Sequence, residues 1–381
     1  MKLRPWMIAY IAGLLVILSV FVLEIIGIHL GHDTVAIVDA LGGIILIAGS
    51  CEAFVLAVEG ISQNLHLTDY VSGIYASLAS TIPELSVLTF LMLAGNYDLA
   101  WTLALATIFV NSLVFAIYTL LLPKDTRGNF RLPDAINEVG SDLLSMGSVI
   151  SLAVGLSMLM LYVFTLGVIP PPAFTGDELL VFGFCLLGVF IAYLYRITKY
   201  FGRYDPESES LLHSKDIHHE HITRRSLGIF LIAASAGALL GGEALASFAE
   251  YATETIGLNF IHAALLLVIF AGTPEYIIVA SSHIKRKIEV ALSNAFGGIV
   301  QVFFVVFGYT LIIAGLLGGS ITIGLFSIVL LFFAFPSLFI LRVMITDDAK
   351  VNALESIAMI AVFVMMLYML LVFGTLGIAA P

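Results

Sequence analysis

Eleven apolar stretches, near 7–30, 34–62, 67–95, 98–123, 143–169, 176–197, 225–257, 259–283, 287–317, 321–342 and 352–378, leave this chain little choice of solvent. Each reaches or exceeds the roughly 20 residues that an α-helix needs to cross a bilayer. In hydrocarbon every backbone N–H and C=O must be satisfied internally, so an all-α polytopic bundle is the fold class these stretches dictate. The composition agrees, with 60% hydrophobic and only 11% charged residues. A net charge of -11, with the few basic residues scattered over short loops, excludes a nucleic-acid partner, which needs a basic stripe. The partner implied is the lipid bilayer, and the oligomeric state stays open. Cys51 and Cys185 both lie in apolar stretches, so they read as small hydrophobes and offer neither a disulfide framework nor zinc spacing.

The first stretch follows Lys2 and Arg4, as a signal peptide would. It is longer than an h-region of about 7–15 residues and no small-residue cleavage site closes it, so it is expected to be retained as a first helix. Loop charge then fixes the expected orientation, because cytoplasmic loops carry the Lys and Arg. With the N-terminus inside, Lys2 and Arg4, Lys124, Arg127 and Arg131, the run from Arg196 to Arg225, Lys285 to Lys287, and Arg342 with Lys350 all fall on the inner side. The outer loops carry none. A multi-pass protein of the cytoplasmic membrane is expected, with its central loop inside and its C-terminus outside.

Glu52, Glu59, Pro83 and Glu84 recur 191 positions later as Glu243, Glu250, Pro274 and Glu275, in the same order. The chain is therefore a duplication, with 34–199 and 225–381 as five-helix halves, 1–33 as an extra helix and 200–224 as the loop between the halves. Five helices per half is odd, so the second copy enters the membrane from the opposite side, giving an inverted-topology repeat of the kind that places a substrate site near the midplane. Glu24, in the extra helix, has no repeat partner and reads as an acid facing neighbouring helices or a water pocket.

Carboxylates at membrane depth are costly unless paired, solvated or ligated, so they are functional candidates. Ala79-Ser80-Thr81-Ile82-Pro83-Glu84 is mirrored by Phe270-Ala271-Gly272-Thr273-Pro274-Glu275. Each proline lacks an N–H and frees the carbonyl four residues back, at Ala79 and Phe270. Freed carbonyls beside Ser80, Thr81, Thr273 and the two glutamates make an oxygen cage, the chemistry that hard cations such as Ca²⁺ take. Two acids brought close repel, so the pair should hold protons or a cation, and the two would compete for the same oxygens. The bland alternative is a pair of simple kinks with structural acids.

Glu52 and Glu59 lie seven residues apart, on one face of their helix, as do Glu243 and Glu250. They read as an access or proton path, or else as internal partners in the bundle. Asn111 and Gln301 offer neutral oxygens, or act as interhelical glue. They align within a residue of each other if the repeat slips by one in the loop at 285–287. The central loop carries Asp205, Glu207, Glu209, His213, Asp216, His218, His219, Glu220 and His221. That density of carboxylate and imidazole suits a metal or pH sensor, or a solvated linker.

These residues resemble the calcium/cation antiporter superfamily, which has two inverted five-helix repeats and a Pro-Glu motif in each. The resemblance spans about 34–378 and is greatest toward the cation/proton exchanger branch, through the extra first helix, the acidic central loop, Asn111, and Gly297-Gly298-Ile299-Val300-Gln301 in place of that branch's Gly-Ser-Ser-x-Gln. It implies that Glu84 and Glu275 bind Ca²⁺ and protons, that Ser80, Thr81, Thr273, Asn111 and Gln301 line the site, and that Glu52, Glu59, Glu243 and Glu250 lie on two gating helices. The chain departs from the branch at Ala79-Ser80, where Gly-Asn is common, and at Tyr276, where His is. Thr81-Ile82-Pro83-Glu84 leans instead toward sodium/calcium exchangers.

The expected function is secondary antiport of Ca²⁺, or another divalent cation, against H⁺. The alternatives are Na⁺/Ca²⁺ exchange through the same site and, further off, a Na⁺/H⁺ antiporter or a cation channel. The metal is cargo, and no cofactor is expected. No Ser/His, HExxH or paired-Asp motif suggests an enzyme.

Overall fold

The computed structural model describes residues 5–166, 172–202 and 224–375. Among them are eleven spans long and apolar enough to cross a membrane. In chain order the helices are α1 (Pro5–Ile25), α2 (His32–Leu65), α3 (Asp69–Ser80), α4 (Ile82–Leu93), α5 (Tyr97–Leu121), α6 (Ser141–Phe164) and α7 (Gly176–Phe201). The second half continues with α8 (Arg224–Glu254), α9 (Phe260–Ala271), α10 (Thr273–Ile284), α11 (Ile288–Gln301), α12 (Phe307–Leu316), α13 (Leu325–Thr346) and α14 (Ala353–Thr375).

Proline explains why α3/α4 and α9/α10 are broken spans. Pro83 and Pro274 sit in the first turn of α4 and α10, where a missing N–H costs nothing. The chain bends at Thr81 (φ −76°, ψ −17°) and at Gly272 (φ −78°, ψ −7°), which are repeat equivalents. The caps repeat as well. Thr68 accepts from the Val71 N–H ahead of α3, and Asn259 accepts from the Ile261 N–H ahead of α9. The connections at 94–96 and 285–287 are equally long, so α5 and α11 start 191 residues apart. The one-residue slip expected at 285–287 is therefore absent. Asn111 matches Val302, and Gln301 lies one residue ahead of it. A π-helical turn, Val302–Val306, follows at once and separates α11 from α12.

The inversion shows in how α2 and α8 pack. A Cβ on Gly43 would meet the Gly241 carbonyl at 3.0 Å, and one on Gly241 would meet the Gly43 carbonyl at 2.9 Å. Small residues let the backbones touch, the usual device where lipid gives no hydrophobic drive for helix association. Further along α2, Leu46 and Ser50 lie against Gly237, so the two repeat-equivalent helices run antiparallel.

Two short sheets, invisible to hydropathy, tie the loops. β1 (Asn129–Arg131) pairs with β4 (Lys350–Asn352), and β2 (Ala173–Phe174) pairs with β3 (Ile321–Thr322), both antiparallel. The repeat carries one pair onto the other, since β1 and β3 follow α5 and α12 while β2 and β4 follow α6 and α13. The basic loops holding Lys124, Arg127, Arg131 and Lys350 thus meet at one end of the bundle. Another departure is the fifth span, which starts at Ile136 and not near 143. Its opening π turn, Ile136–Gly140, is too polar for hydropathy to find. The centre is filled by α5 and the π turn after α11, with Trp101 on Phe307 at 4.9 Å and Phe115 on Phe296 at 6.0 Å between ring centroids.

Candidate functional site

Both helix breaks point their restarting ends into the bundle, and each restart carries a glutamate in its first turn. Glu84 is 3% exposed and Glu275 4% exposed, and each lies within electrostatic reach of the other. The positive end of a half-helix favours negative charge there. Partial dipoles do not supply the donors that two buried carboxylates need.

Glu275 has two donors. Asn111 Nδ2 donates to its Oε2 at 2.7 Å, and Thr81 Oγ1 reaches its Oε1 at 3.5 Å. The same Thr81 hydroxyl lies 2.9 Å from the Ser77 carbonyl and 3.2 Å from Gln301 Oε1. It carries a single proton, so three acceptors share one donor. Ser77 Oγ is in the same position, with Gln301 Oε1 at 3.0 Å and the Asn294 carbonyl at 3.3 Å. Gln301 Nε2 is spent on the Ile74 carbonyl at 3.0 Å. Both oxygens of Glu84 and Oδ1 of Asn111 have no hydrogen-bond partner among the described residues. The site is rich in acceptor oxygen and short of protons, which is the arrangement a hard cation completes.

Space at the site depends on Gly298. A Cβ there would stand 2.7 Å from Glu275 Oε2 and 3.1 Å from Asn111 Nδ2. Tyr276 fills part of the second break, where a Cβ on Gly272 would meet its hydroxyl at 2.5 Å, and that buried hydroxyl is unpartnered among the described residues. From α2, the Cys51 thiol donates to the Pro274 carbonyl at 3.5 Å, tying that helix to the break.

Glu84, Glu275, Thr81, Asn111 and Gln301 are thus brought together. Ser80 is buried beside them, with its hydroxyl turned to the Ser77 carbonyl at 2.7 Å, and Ala79 is buried at the same break. Thr273 is not brought in: its hydroxyl folds back on the Ile269 carbonyl at 3.1 Å, at an exposed position. The reason is register, since Thr273 matches Ile82 and the true equivalent of Thr81 is Gly272. Phe270, in the last turn of α9, is half-buried.

Glu52 and Glu250 are half-buried and Glu243 is exposed, on a stripe of α8 shared with Leu239, Leu240 and Ser247. The side chain of Glu59 lies outside the described set, as do Asp205, Glu207, Glu209, His213, Asp216, His218, His219, Glu220 and His221. Among the described residues no three of His, Cys, Asp and Glu gather as a metal cluster, so amides and hydroxyls must complete any cation shell. Ser77 and Asn294 went unread in the sequence. Ser77 stands one turn before Thr81, and Asn294 shares a face with Gln301, seven residues on.

The sequence matches the sodium/calcium exchanger protein family over residues 35–199 and 226–372. No curated protein matches it. Among solved structures it is similar to the H⁺/Ca²⁺ exchanger CAX, with 12% identity and a TM-score of 0.69 over 98% of this chain and 92% of that one. It is similar also to native YfkE, with 16% identity and a TM-score of 0.61 over 94% and 99% of the two chains. The sodium-calcium exchanger NCX_Mj, soaked with 2.5 mM Na⁺ and 1 mM Sr²⁺, gives 14% identity and a TM-score of 0.59 over 87% and 97%.

Proposed function

The chain belongs to the sodium/calcium exchanger family of the calcium/cation antiporter superfamily, and from that premise we propose that it exports Ca²⁺ in exchange for H⁺. The observation that carries this reading is the surplus of acceptor oxygens around Glu84 and Glu275, including two glutamate oxygens with no donor. Two carboxylates match a divalent cation in charge, and the same oxygens take protons when the ion leaves. Antiport follows if the empty, unprotonated site is too costly to carry across the membrane. The likeness of fold to an H⁺/Ca²⁺ exchanger supports the choice of counter-ion.

Loop charge supports a cytoplasmic membrane location with the β1–β4 end inside. In this reading α2 and α8 are the gating pair, moving against the remaining helices, and Glu52 and Glu59 on α2 with Glu243 and Glu250 on α8 are the candidate gating or proton-path residues. The division 1–33, 34–199, 200–224 and 225–381 is the working description of extra helix, first half, central loop and second half. The central loop is either a metal or pH sensor or a solvated linker, and its own variants distinguish the two. Replacing its acids and histidines should shift the Ca²⁺ or pH dependence of flux without ending it, and an unchanged dependence would make it a linker.

The second reading is Na⁺/Ca²⁺ exchange. It is favoured by the convergence of the neutral Ser77, Thr81 and Gln301 oxygens beside Glu275, a small set of hydroxyl and amide ligands that suits Na⁺. The deciding experiment is ⁴⁵Ca²⁺ uptake into proteoliposomes, driven by a pH gradient without Na⁺ or by a Na⁺ gradient at fixed pH. Uptake with the proton gradient alone supports the first reading, and uptake only with Na⁺ overturns it for the second. Glu84→Gln and Glu275→Gln should each abolish uptake, and wild-type flux in either would remove the site itself.

A further inference from the structure

Asn294 is fully buried in α11, and among the described residues neither its carboxamide oxygen nor its nitrogen has a hydrogen-bond partner. Buried side-chain amides are nearly always satisfied, because leaving one bare forfeits its hydration for nothing. Its own backbone is well held, with the carbonyl accepting from Ser77 Oγ at 3.3 Å, so the helix register around it is fixed.

The helix places this amide. Residues 294, 298 and 301 fall on one face of α11. At Gly298 that face lies against the Glu275 carboxylate and the Asn111 amide, and at Gln301 it lies against α3. Asn294 is therefore one turn, about 5.4 Å, from the Gly298 level, toward the basic 285–287 connection. A second bare group accompanies it. Ser112, the residue after Asn111 on the neighbouring α5, is likewise buried with its hydroxyl unpartnered among the described residues.

We propose that Asn294 forms a second station for the transported cation, on the side of Glu275 nearer the 285–287 connection. The carboxamide oxygen takes a partly hydrated hard cation there, before or after the ion is held by the two carboxylates. The inference rests on the exchanger reading and deepens it. It gives the site unequal approaches, since Leu103 and not an amide stands at the repeat position of Asn294.

The test is ⁴⁵Ca²⁺ flux in oriented proteoliposomes for wild type, Asn294→Leu, Asn294→Asp and Glu275→Gln, with substrate offered from each side in turn. Leu matches the branched shape of Asn and removes both bare polar atoms, though its methyl groups are bulkier, so a merely structural amide predicts a retained fold and unchanged flux. The station predicts the same folding result, together with a half-saturating Ca²⁺ concentration raised about tenfold from the 285–287 side and little changed from the other. Asn294→Asp, which keeps a ligand oxygen, should retain near wild-type half-saturation. Loss of flux in Glu275→Gln with wild-type half-saturation on both sides in Asn294→Leu overturns the station while leaving the exchanger reading intact. Wild-type flux in Glu275→Gln overturns that reading and the station with it.

Discussion

Asn111 holds Glu275 through a 2.7 Å hydrogen bond, and the bond has no counterpart in the other repeat. The position equivalent to Asn111 is Val302, so Glu84, the equivalent of Glu275, lacks the donor and both its oxygens stay bare. Two residues that the duplication made alike are thus chemically distinct. Glu275 is a carboxylate fixed and oriented by an amide, whereas Glu84 has no protein donor among the described residues.

Removing the donor should therefore hurt more than its charge suggests. A hydrogen bond to a charged group contributes about 1.5–3 kcal/mol. Asn111→Leu is expected to raise half-saturating Ca²⁺ by about tenfold or more while the protein still folds. Flux measured against Ca²⁺ concentration checks it, and a wild-type curve would mean that the amide only packs helices.

Gly298→Ala should separate stability from function. Alanine is favoured over glycine inside a helix by about 1 kcal/mol, which offsets part of the hydrogen bond the methyl disturbs, so thermal unfolding in detergent should shift little compared with transport. The added methyl, however, would stand 2.7 Å from Glu275 Oε2 and must push the carboxylate off Asn111. Transport should fall at least tenfold. Equal activity in this variant would show that the carboxylate has freedom to relocate.

The α2–α8 contact predicts the opposite pattern. Gly241→Val brings its side chain within 2.6 Å of Ile47 Cγ1 and 2.9 Å of the Gly43 carbonyl, in a pair whose backbones already touch. Overpacking of this kind costs about 1–3 kcal/mol. The melting temperature should drop, and flux should fall with it, because the two helices can no longer approach. A variant as stable as wild type would show that the pair separates easily.

Much of this was legible in the sequence, because hydropathy and a fixed repeat spacing are one-dimensional signals. The eleven spans, the two broken helices and the pairing of Glu84 with Glu275 all follow from runs of apolar residues and from proline geometry. What escaped depends on side-chain direction. Thr273 looks like a hydroxyl ligand beside Pro274, yet it is the equivalent of Ile82 and its hydroxyl turns back to the Ile269 carbonyl of α9. Gln301 suggested a slipped register, whereas the helices restart in step and a π turn follows it. Ser77 and Asn294 carry no motif, and only the fold shows which polar atoms they face. The β1–β4 and β2–β3 pairs are too short to leave a periodicity.

The last prediction comes from a broken symmetry. Cys51 of α2 and Gly242 of α8 are repeat equivalents, but they touch their partners at different levels. The Cys51 thiol meets Pro274, whereas a Cβ on Gly242 would meet Ser86 Cβ at 2.6 Å and the Val87 nitrogen at 3.0 Å. The equivalent of Pro274 is Pro83, so the two contacts differ by three to four residues, about one helical turn of roughly 5 Å. In an inverted repeat the opposite-facing state is reached when the halves exchange environments. Cys51 should then move to the level equivalent to Ser86, which is Ile277 on α10. In a protein with Cys185→Ser and Ile277→Cys, a short thiol cross-linker should join Cys51 to position 277 only while a cation gradient turns the transporter over, and flux should stop once it has. Full flux with no cross-link under any gradient would rule out a one-turn shift between α2 and α10.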